Sequence, residues 1–322
     1  MAAFLVGLSV GPYDIGPLEV LRISAARAAW FPLDSGDTNA AQVVVLTLRW
    51  PRVLLAMLVG VALSCSGAAL QGCFRNPLVE PYILGVSSGA AFGAALAIVF
   101  PHLLPSVAAA AFGFGLLAVS ATSALSRVRG TTAVVTLVLI GVAVGSFFSA
   151  LVSGLKYLAD EAALREIVFW LMGGFYYATW EDVRVVAPTV VLCFLLMWRQ
   201  SWRLNLLSLG DDEARSLGVH PPRVRRLMLV AATLATAVSV AASGTIAWVG
   251  LMVPHAARML LGADNRFVIP ASAALGGSYL ILCDALARSL TTHEIPLGII
   301  TSVLGAPYLF YLLRGKLGGL AG

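Results

Sequence analysis

The sequence predicts an all-α protein that crosses a membrane many times. Of its 322 residues, 59% are hydrophobic, and the mean hydropathy is +0.90. Only 11% are Asp, Glu, Lys or Arg, against roughly 25% in a soluble domain. The stretch from Pro81 to Ser126 contains none of these four, enough chain for two crossings of about 20 residues each. An ordinary water-soluble enzyme, a disordered chain and a nucleic-acid-binding domain are thereby excluded. The formal net charge of +5 is read from its distribution among loops, not as a polyanion signal.

Residues 2–12 are apolar but too short to cross. They lack the basic leader and cleavage site of a signal peptide and read as the outer half of a first helix whose beginning is missing. Spans are then expected over 53–72, 82–100, 106–126, 131–155, 183–199, 227–243, 245–261, 267–284 and 295–313. As one helix Pro81–Ser126 would be about 69 Å long, over twice the roughly 30 Å hydrocarbon core. It must fold back, and Pro101–Pro105 offers the turn. Ser243-Gly244 breaks the run Leu227–Ala257 in the same way. Val185–Trp198 is short, but Arg184 and Arg199 can snorkel at its ends.

Placing the segment after the 53–72 span in the cytoplasm and alternating from there puts 13 of the 21 basic residues inside: Arg75, Arg127, Arg129, Arg199, Arg203, Arg215, Arg223, Arg225, Arg226, Arg258, Arg266, Arg314 and Lys316. The outer loops hold the other 8 with 11 acidic residues. This asymmetry predicts a cytoplasmic C-terminus.

Two connections stand out. Outside, 156–182 carries the apolar stretch Ile167–Trp180, too short to span, which reads as an interfacial or re-entrant helix. Inside, 200–226 contains a helix signature. Asp211, Asp212 and Glu213 suit the positive end of a helix dipole, Arg215 follows, and Gly218 is placed to end the helix. Composition alone makes this a solvated loop helix. Ala214 and Leu217, at i and i+3, are expected on one small apolar face.

The chemical motifs are weak. Gly85-Val86-Ser87-Ser88-Gly89 matches G-x-S-x-G, but that pattern needs a strand–turn–helix setting. His102, His220, His255 and His293 all fall outside the middle of a span. Small-residue helix packing is the better reading, as at Gly141–Gly145. Cys65, Cys73, Cys193 and Cys283 form no C-x-x-C pair and read as buried packing residues, not a disulfide framework or metal site. No G-x-x-x-x-G-K-[ST] phosphate loop occurs, so ATP hydrolysis is not expected on this chain. Proton- or sodium-coupled carriers usually place an ionisable group at depth, and Asp284, near an outer helix end, is the nearest candidate.

Several blocks recur in one order across residues 45–313: Arg49-Trp50-Pro51-Arg52, Gln71, Asn76-Pro77-Leu78-Val79-Glu80-Pro81, Leu84–Ala90, and Trp170-Leu171-Met172-Gly173-Gly174. After them come Leu209-Gly210 through Ala214-Arg215 to Leu217-Gly218, Gly250-Leu251 with Val253-Pro254-His255, and Pro296-Leu297-Gly298 through Gly305-Ala306-Pro307. Together they resemble the FecCD/BtuC-like permease subunits of type II ABC importers, which take up iron siderophores, heme or cobalamin. The resemblance implies a BtuC-like ten-helix fold in two pseudo-repeated halves, its first helix truncated here. It implies four kinds of partner: a second copy of the chain, two ATP-binding cassette ATPase subunits, a periplasmic or extracellular substrate-binding protein, and the lipid bilayer of a bacterial or archaeal inner membrane. No cofactor is expected in this chain: ATP and Mg belong to the ATPase, and the metal chelate is cargo.

Asn76 and Leu78 become the cytoplasmic gate by this resemblance. The segment Leu209, Gly210, Asp211, Asp212, Glu213, Ala214, Arg215, Leu217 and Gly218 becomes the ATPase coupling element, with its acidic residues meeting basic groups on the ATPase. Arg49, Arg52 and Arg288 lie at outer helix ends, where snorkelling alone accounts for them; the resemblance makes them receptors for glutamates of the binding protein. The competing class is a secondary transporter of hydrophobic solutes, and an intramembrane hydrolase using Ser87 is more distant. Among chelates, an iron-containing cargo, heme included, is favoured only by how the family is populated.

Overall fold

A computed structural model describes residues 2–11, 13, 15–28, 40–104, 106–126, 134–291 and 293–318. The described residues form 14 helices and no strand. They are α1 (Ala2–Ser9), α2 (Pro17–Ala28), α3 (Ala40–Phe74), α4 (Val86–Val99), α5 (Val107–Leu125), α6 (Val134–Leu158), α7 (Glu161–Met172), α8 (Trp180–Arg199), α9 (Ser201–Leu209), α10 (Asp211–Ser216), α11 (Pro221–Ser243), α12 (Val249–Leu261), α13 (Asn265–Ser289) and α14 (Leu297–Gly318). Five of them, α3, α5, α6, α11 and α13, are long and apolar enough to cross a membrane; α4, α12 and the 297–310 part of α14 are shorter apolar helices. Arg127, Arg129 and the first three residues of the expected 131–155 span lie outside the described residues, as do the side chains of Arg314 and Lys316.

Several boundaries differ from expectation: α11 starts at Pro221 rather than 227 and α12 at Val249 rather than 245, and three more differences have identifiable causes. The helix expected at 53–72 begins at Ala40 and passes through a π-helical turn at Val44–Arg49. Its 35 residues give a rod of about 52 Å. The expected 82–100 span is interrupted: Pro81–Leu84 form a 3-10 turn, Gly85 takes φ +83°, and α4 starts at Val86. The short helix in 156–182 lies at Glu161–Met172 rather than Ile167–Trp180, because polar residues outweigh hydropathy at both limits. Asp160 caps the N-terminus by accepting from Ala163 N–H at 2.8 Å. Gly173, at φ +67°, stops the helix, and a Thr179/Asp182 capping box starts α8 instead.

α3 is the centre of the bundle. Nearly every side chain from Val53 to Phe74 is buried, consistent with a helix that is apolar all round. With no aqueous driving force between helices in lipid, close backbone approach supplies the contact. A Cβ on Gly60 would sit 2.6 Å from the carbonyl carbon of Gly276 in α13, and one on Gly67 would sit 2.6 Å from that of Gly250 in α12. Ser64 Oγ lies 2.7 Å from the carbonyl oxygens of both Gly60 and Ser272, tying α3 to α13 with its one polar group.

Substituting Gly60 with leucine should force α3 and α13 apart and lower stability by about 1–3 kcal/mol. Gly113 has open space where its Cβ would be and lies inside a helix, so Gly113→Ala should not lower the thermal midpoint and should raise stability by up to about 1 kcal/mol. Unfolding in detergent, followed by fluorescence, compares the two.

Candidate functional site

The functional candidates gather at the two ends of α3 and at a break between them. At the Phe74 end, Arg75 adopts a left-handed conformation (φ +50°) and caps the helix. The chain then makes an Asx turn, with Asn76 Oδ1 accepting from Leu78 N–H at 2.9 Å. Leu78 is thrown outward and is 54% exposed. Behind the turn, Gln71 Nε2 lies 3.2 Å from the Val79 carbonyl oxygen and 3.3 Å from those of Gly250 and Leu251. Arg258 donates to Gln71 Oε1 and so holds the amide in this sense.

Beside this turn, α9 and α10 form the projecting segment. Gly218 has φ +79° and ends it. Leu209, Asp212, Glu213, Arg215 and Leu217 face outward, and Gly210, at φ +142°, links the two helices. Two expectations are corrected here. Ala214 and Leu217 do not share an outward apolar face: Ala214 is 0% exposed, turned into the chain, while Leu217 is 56% exposed. α10 ends at Ser216, so Leu217 falls in the terminating turn. Nor is Asp211 free for a partner. Arg225 grips it through two bonds of 2.7 Å, and Arg75 adds a third of 2.6 Å. This bidentate geometry is the strong form of the ion pair, and Arg225 holds the Asp211 carboxyl below the usual carboxylate range. The contribution is therefore full at neutral pH and is lost as pH falls through that depressed value. Among the described residues Asp212 pairs with exposed Arg215 alone, at 2.8 Å.

At the opposite end the three arginines expected to receive a partner are spent internally. Arg49, 4% exposed, donates to the carbonyls of Leu8 at 2.7 Å and Ser9 at 2.9 Å, and to that of Tyr13. Arg288, 6% exposed, donates to Val10 at 2.6 Å and Gly7 at 2.9 Å. The end of α1 has carbonyls that no helical N–H satisfies, and it carries partial negative charge. Two guanidinium groups neutralise it, which removes both arginines from the surface. Arg52 forms a fork on Glu294 with two 2.9 Å bonds and also binds Asp284. Asp284, 1% exposed, sits between Arg52 and Arg288; an ionised carboxylate there is held by two cations. All three positions are spent on charge and carbonyl satisfaction inside the chain.

Between the ends, α11 stops at Ser243 and α12 starts at Val249. The non-helical bridge 244–248 is fixed on one side by Glu80 and Tyr82 and on the other by α7. The break itself falls at Ser243-Gly244, as the sequence predicts; its fastening to Glu80 and Tyr82 was not foreseen. The one signal for that fastening was that Glu80 is the sole Asp, Glu, Lys or Arg between Arg75 and Arg127. Gly85 and Ser88 of the G-x-S-x-G pattern line an open cavity of about 440 Å³ facing Ser146 and Ser149 of α6. Ser88 Oγ lies 3.5 Å from Ser149 Oγ. The four cysteines are buried and free.

A bundle of apolar helices, packed through glycines and with five of them long enough to cross a membrane, has the architecture of a multi-pass membrane protein. The chain belongs to the FecCD transport family, whose sequence profile matches residues 1–315. It is 42% identical to the molybdate import system permease protein MolB of Haemophilus influenzae, over 97% of this chain and 92% of that one. It is 42% identical to the cobalamin import system permease protein BtuC of Halobacterium salinarum (95% and 82%) and 39% identical to the hemin transport system permease protein HmuU of Yersinia pestis (96% and 92%). A solved metal-chelate type ABC transporter in an inward-facing conformation superimposes with a TM-score of 0.85 at 39% identity, covering 98% of this chain and 96% of that one.

Asp284→Ala should leave buried Arg288 without its carboxylate, and Arg52 with Glu294 alone, and cost about 3–5 kcal/mol. Asp212→Ala, which breaks only an exposed pair, should change stability by less than about 0.5 kcal/mol. Thermal unfolding of the purified chain separates the two.

Proposed function

We propose that this chain is the membrane-spanning half of an ATP-driven importer that moves a metal chelate by alternating access. Two copies enclose one pathway in the inner membrane of a bacterium or archaeon. Two ATPase subunits bind the end carrying α9 and α10, which is the cytoplasmic end by its excess of arginine. A substrate-binding protein delivers cargo at the other end, beside α7. The observation that carries this reading is the pairing of α10 with the 75–78 turn through Asp211. A short helix exposed to a partner on one side is fastened on the other to Arg75, at the start of the 76–79 turn, so work done on the helix reaches the turn.

The relatives' names support an iron or cobalamin chelate or heme as cargo. Ferric siderophore or heme is the reading adopted here, with cobalamin next. Near-equal identity to a molybdate permease favours one further candidate, the molybdate oxyanion. Docking through Arg49 and Arg288 is not part of the proposal, since both are buried. The outward residues Leu209, Asp212, Glu213, Arg215, Leu217 and Gly218 form the ATPase contact, and Asn76 and Leu78 form the gate.

Leu217→Asp should abolish most uptake in proteoliposomes holding the full complex, while the membrane dimer stays folded; normal uptake with fully stimulated ATP hydrolysis would move the coupling contact elsewhere. Ala214→Trp, by contrast, should destabilise the chain, because Ala214 is packed inside it. Mass spectrometry of the ligand that co-purifies with the cognate binding protein decides among iron chelate, heme, cobalamin and molybdate.

A further inference from the structure

The bridge 244–248 is a break within the bundle, and its polar backbone is claimed from two directions. On the side of the 76–79 turn, Glu80 Oε1 accepts from Trp248 N–H at 3.0 Å. The Tyr82 hydroxyl donates to the Ile246 carbonyl oxygen at 2.9 Å and lies 3.2 Å from Ile246 N–H, whose bond it accepts. On the other side, Thr245 Oγ1 donates to the Leu171 carbonyl of α7, and Gly174 N–H donates to the Ser243 carbonyl at 2.8 Å. Leu297 N–H, at the start of α14, donates to the Gly173 carbonyl at 3.0 Å.

Packing repeats the pattern. Gly173 (φ +67°) and Gly244 (φ +68°) cross so closely that a Cβ on Gly244 would stand 3.0 Å from the Gly173 Cα. The indole of Trp248 lies over Gly305 of α14, where a Cβ would sit 2.6 Å from the Trp248 Cγ. Pro81, next to Glu80, fills the space in front of Gly250, 2.5 Å from where its Cβ would be.

Trp248 is the unusual element. It has φ +75° and ψ −29°, a left-handed conformation that a bulky side chain rarely takes. Such a residue persists only where its surroundings over-determine it. Here the Glu80 carboxylate holds its backbone and α14 holds its ring.

We propose that Glu80 and Tyr82 are positioning residues that make the 76–79 turn and the bridge one mechanical unit. Through the bridge they couple that turn to the end of α7 and the start of α14, so that opening at one end of the pathway is tied to closure at the other. The proposal rests on the transport reading above, and it adds to that reading the joint by which the two gates exclude each other. An independent pair of gates would need no contact between Glu80 and a backbone that also carries α7. The geometry instead makes one five-residue segment common to both.

The test uses the full complex in proteoliposomes, with dimer, ATPase subunits and loaded binding protein. ATP-dependent uptake by the unmodified complex is measured first; its absence would count against the transport reading itself, before any variant is compared. Glu80→Ala removes the acceptor for Trp248 N–H. Glu80→Gln keeps an acceptor oxygen and drops the charge. Tyr82→Phe removes only the hydroxyl. Cargo moved per ATP hydrolysed should fall about five- to tenfold in Glu80→Ala and Tyr82→Phe, with ATP hydrolysis continuing, and Glu80→Gln should restore most of it.

Spin labels at Leu78→Cys and at Ala162→Cys in α7, read between the two copies, report the two ends. In the unmodified joint both distances change when nucleotide is trapped. In Tyr82→Phe the Leu78 distance should still respond and the Ala162 distance should not. If Glu80→Ala fails to fold, Tyr82→Phe decides alone. Distances that still move together, with an unchanged ratio of cargo to ATP, would overturn the proposal.

Discussion

The structure depends on one constraint: a backbone polar group inside the bilayer must find its partner within the protein. Continuous helices meet it on their own. This chain breaks its helices at Gly85, at Gly173-Gly174 and at 244–248, and each break must be repaired by a neighbour. Thr122 Oγ1 donates to the Leu84 carbonyl at 3.0 Å beside the first break. The second and third breaks largely repair each other, through Gly174 with Ser243 and Thr245 with Leu171. Placing two broken segments in contact is what brings α7, α12 and α14 together, and it accounts for glycine wherever the two backbones meet.

Charge obeys the same constraint. The chain has few ionisable groups, and those beside the end of α1 are assembled into one connected set. Asp284 lies between Arg52 and Arg288, and Arg49 and Arg288 cover the end of α1. Removing Asp284 takes the carboxylate from buried Arg288, which costs more than the net contribution of the assembled set. Such a set fixes position more than it adds stability. It clamps α1, the 49–52 stretch of α3 and the end of α13 at the end where cargo is proposed to enter. At the other end, Asp211 performs the same task in a partly wet setting, where the same kind of pair is weaker.

These fixed ends frame what can move. α10 is six residues long, is held by Asp211 and Ala214, and presents its remaining side chains outward. The turn that follows Arg75 carries an exposed leucine and is otherwise tied down by Gln71. Close packing makes such elements shift between discrete arrangements rather than deform smoothly.

The sequence by itself determined the fold class, the approximate place of each apolar helix and the existence of a helix beginning at Asp211. Hydropathy, proline turns and acidic helix starts are local signals, and they act over the same few residues in which they are written. The start of α3 at Ala40 and the limits of α7 were less legible, because a π-helical turn and competing caps shifted them. Only the tertiary structure decided that Arg49 and Arg288 face inward, that Ala214 is buried while Leu217 is exposed, and that Asp211 belongs to Arg225 and Arg75. It also showed Glu80 reaching Trp248, 168 residues away. Each of these is a choice of partner across distant segments, and an arginine or a carboxylate looks the same in sequence whichever partner the packing brings to it.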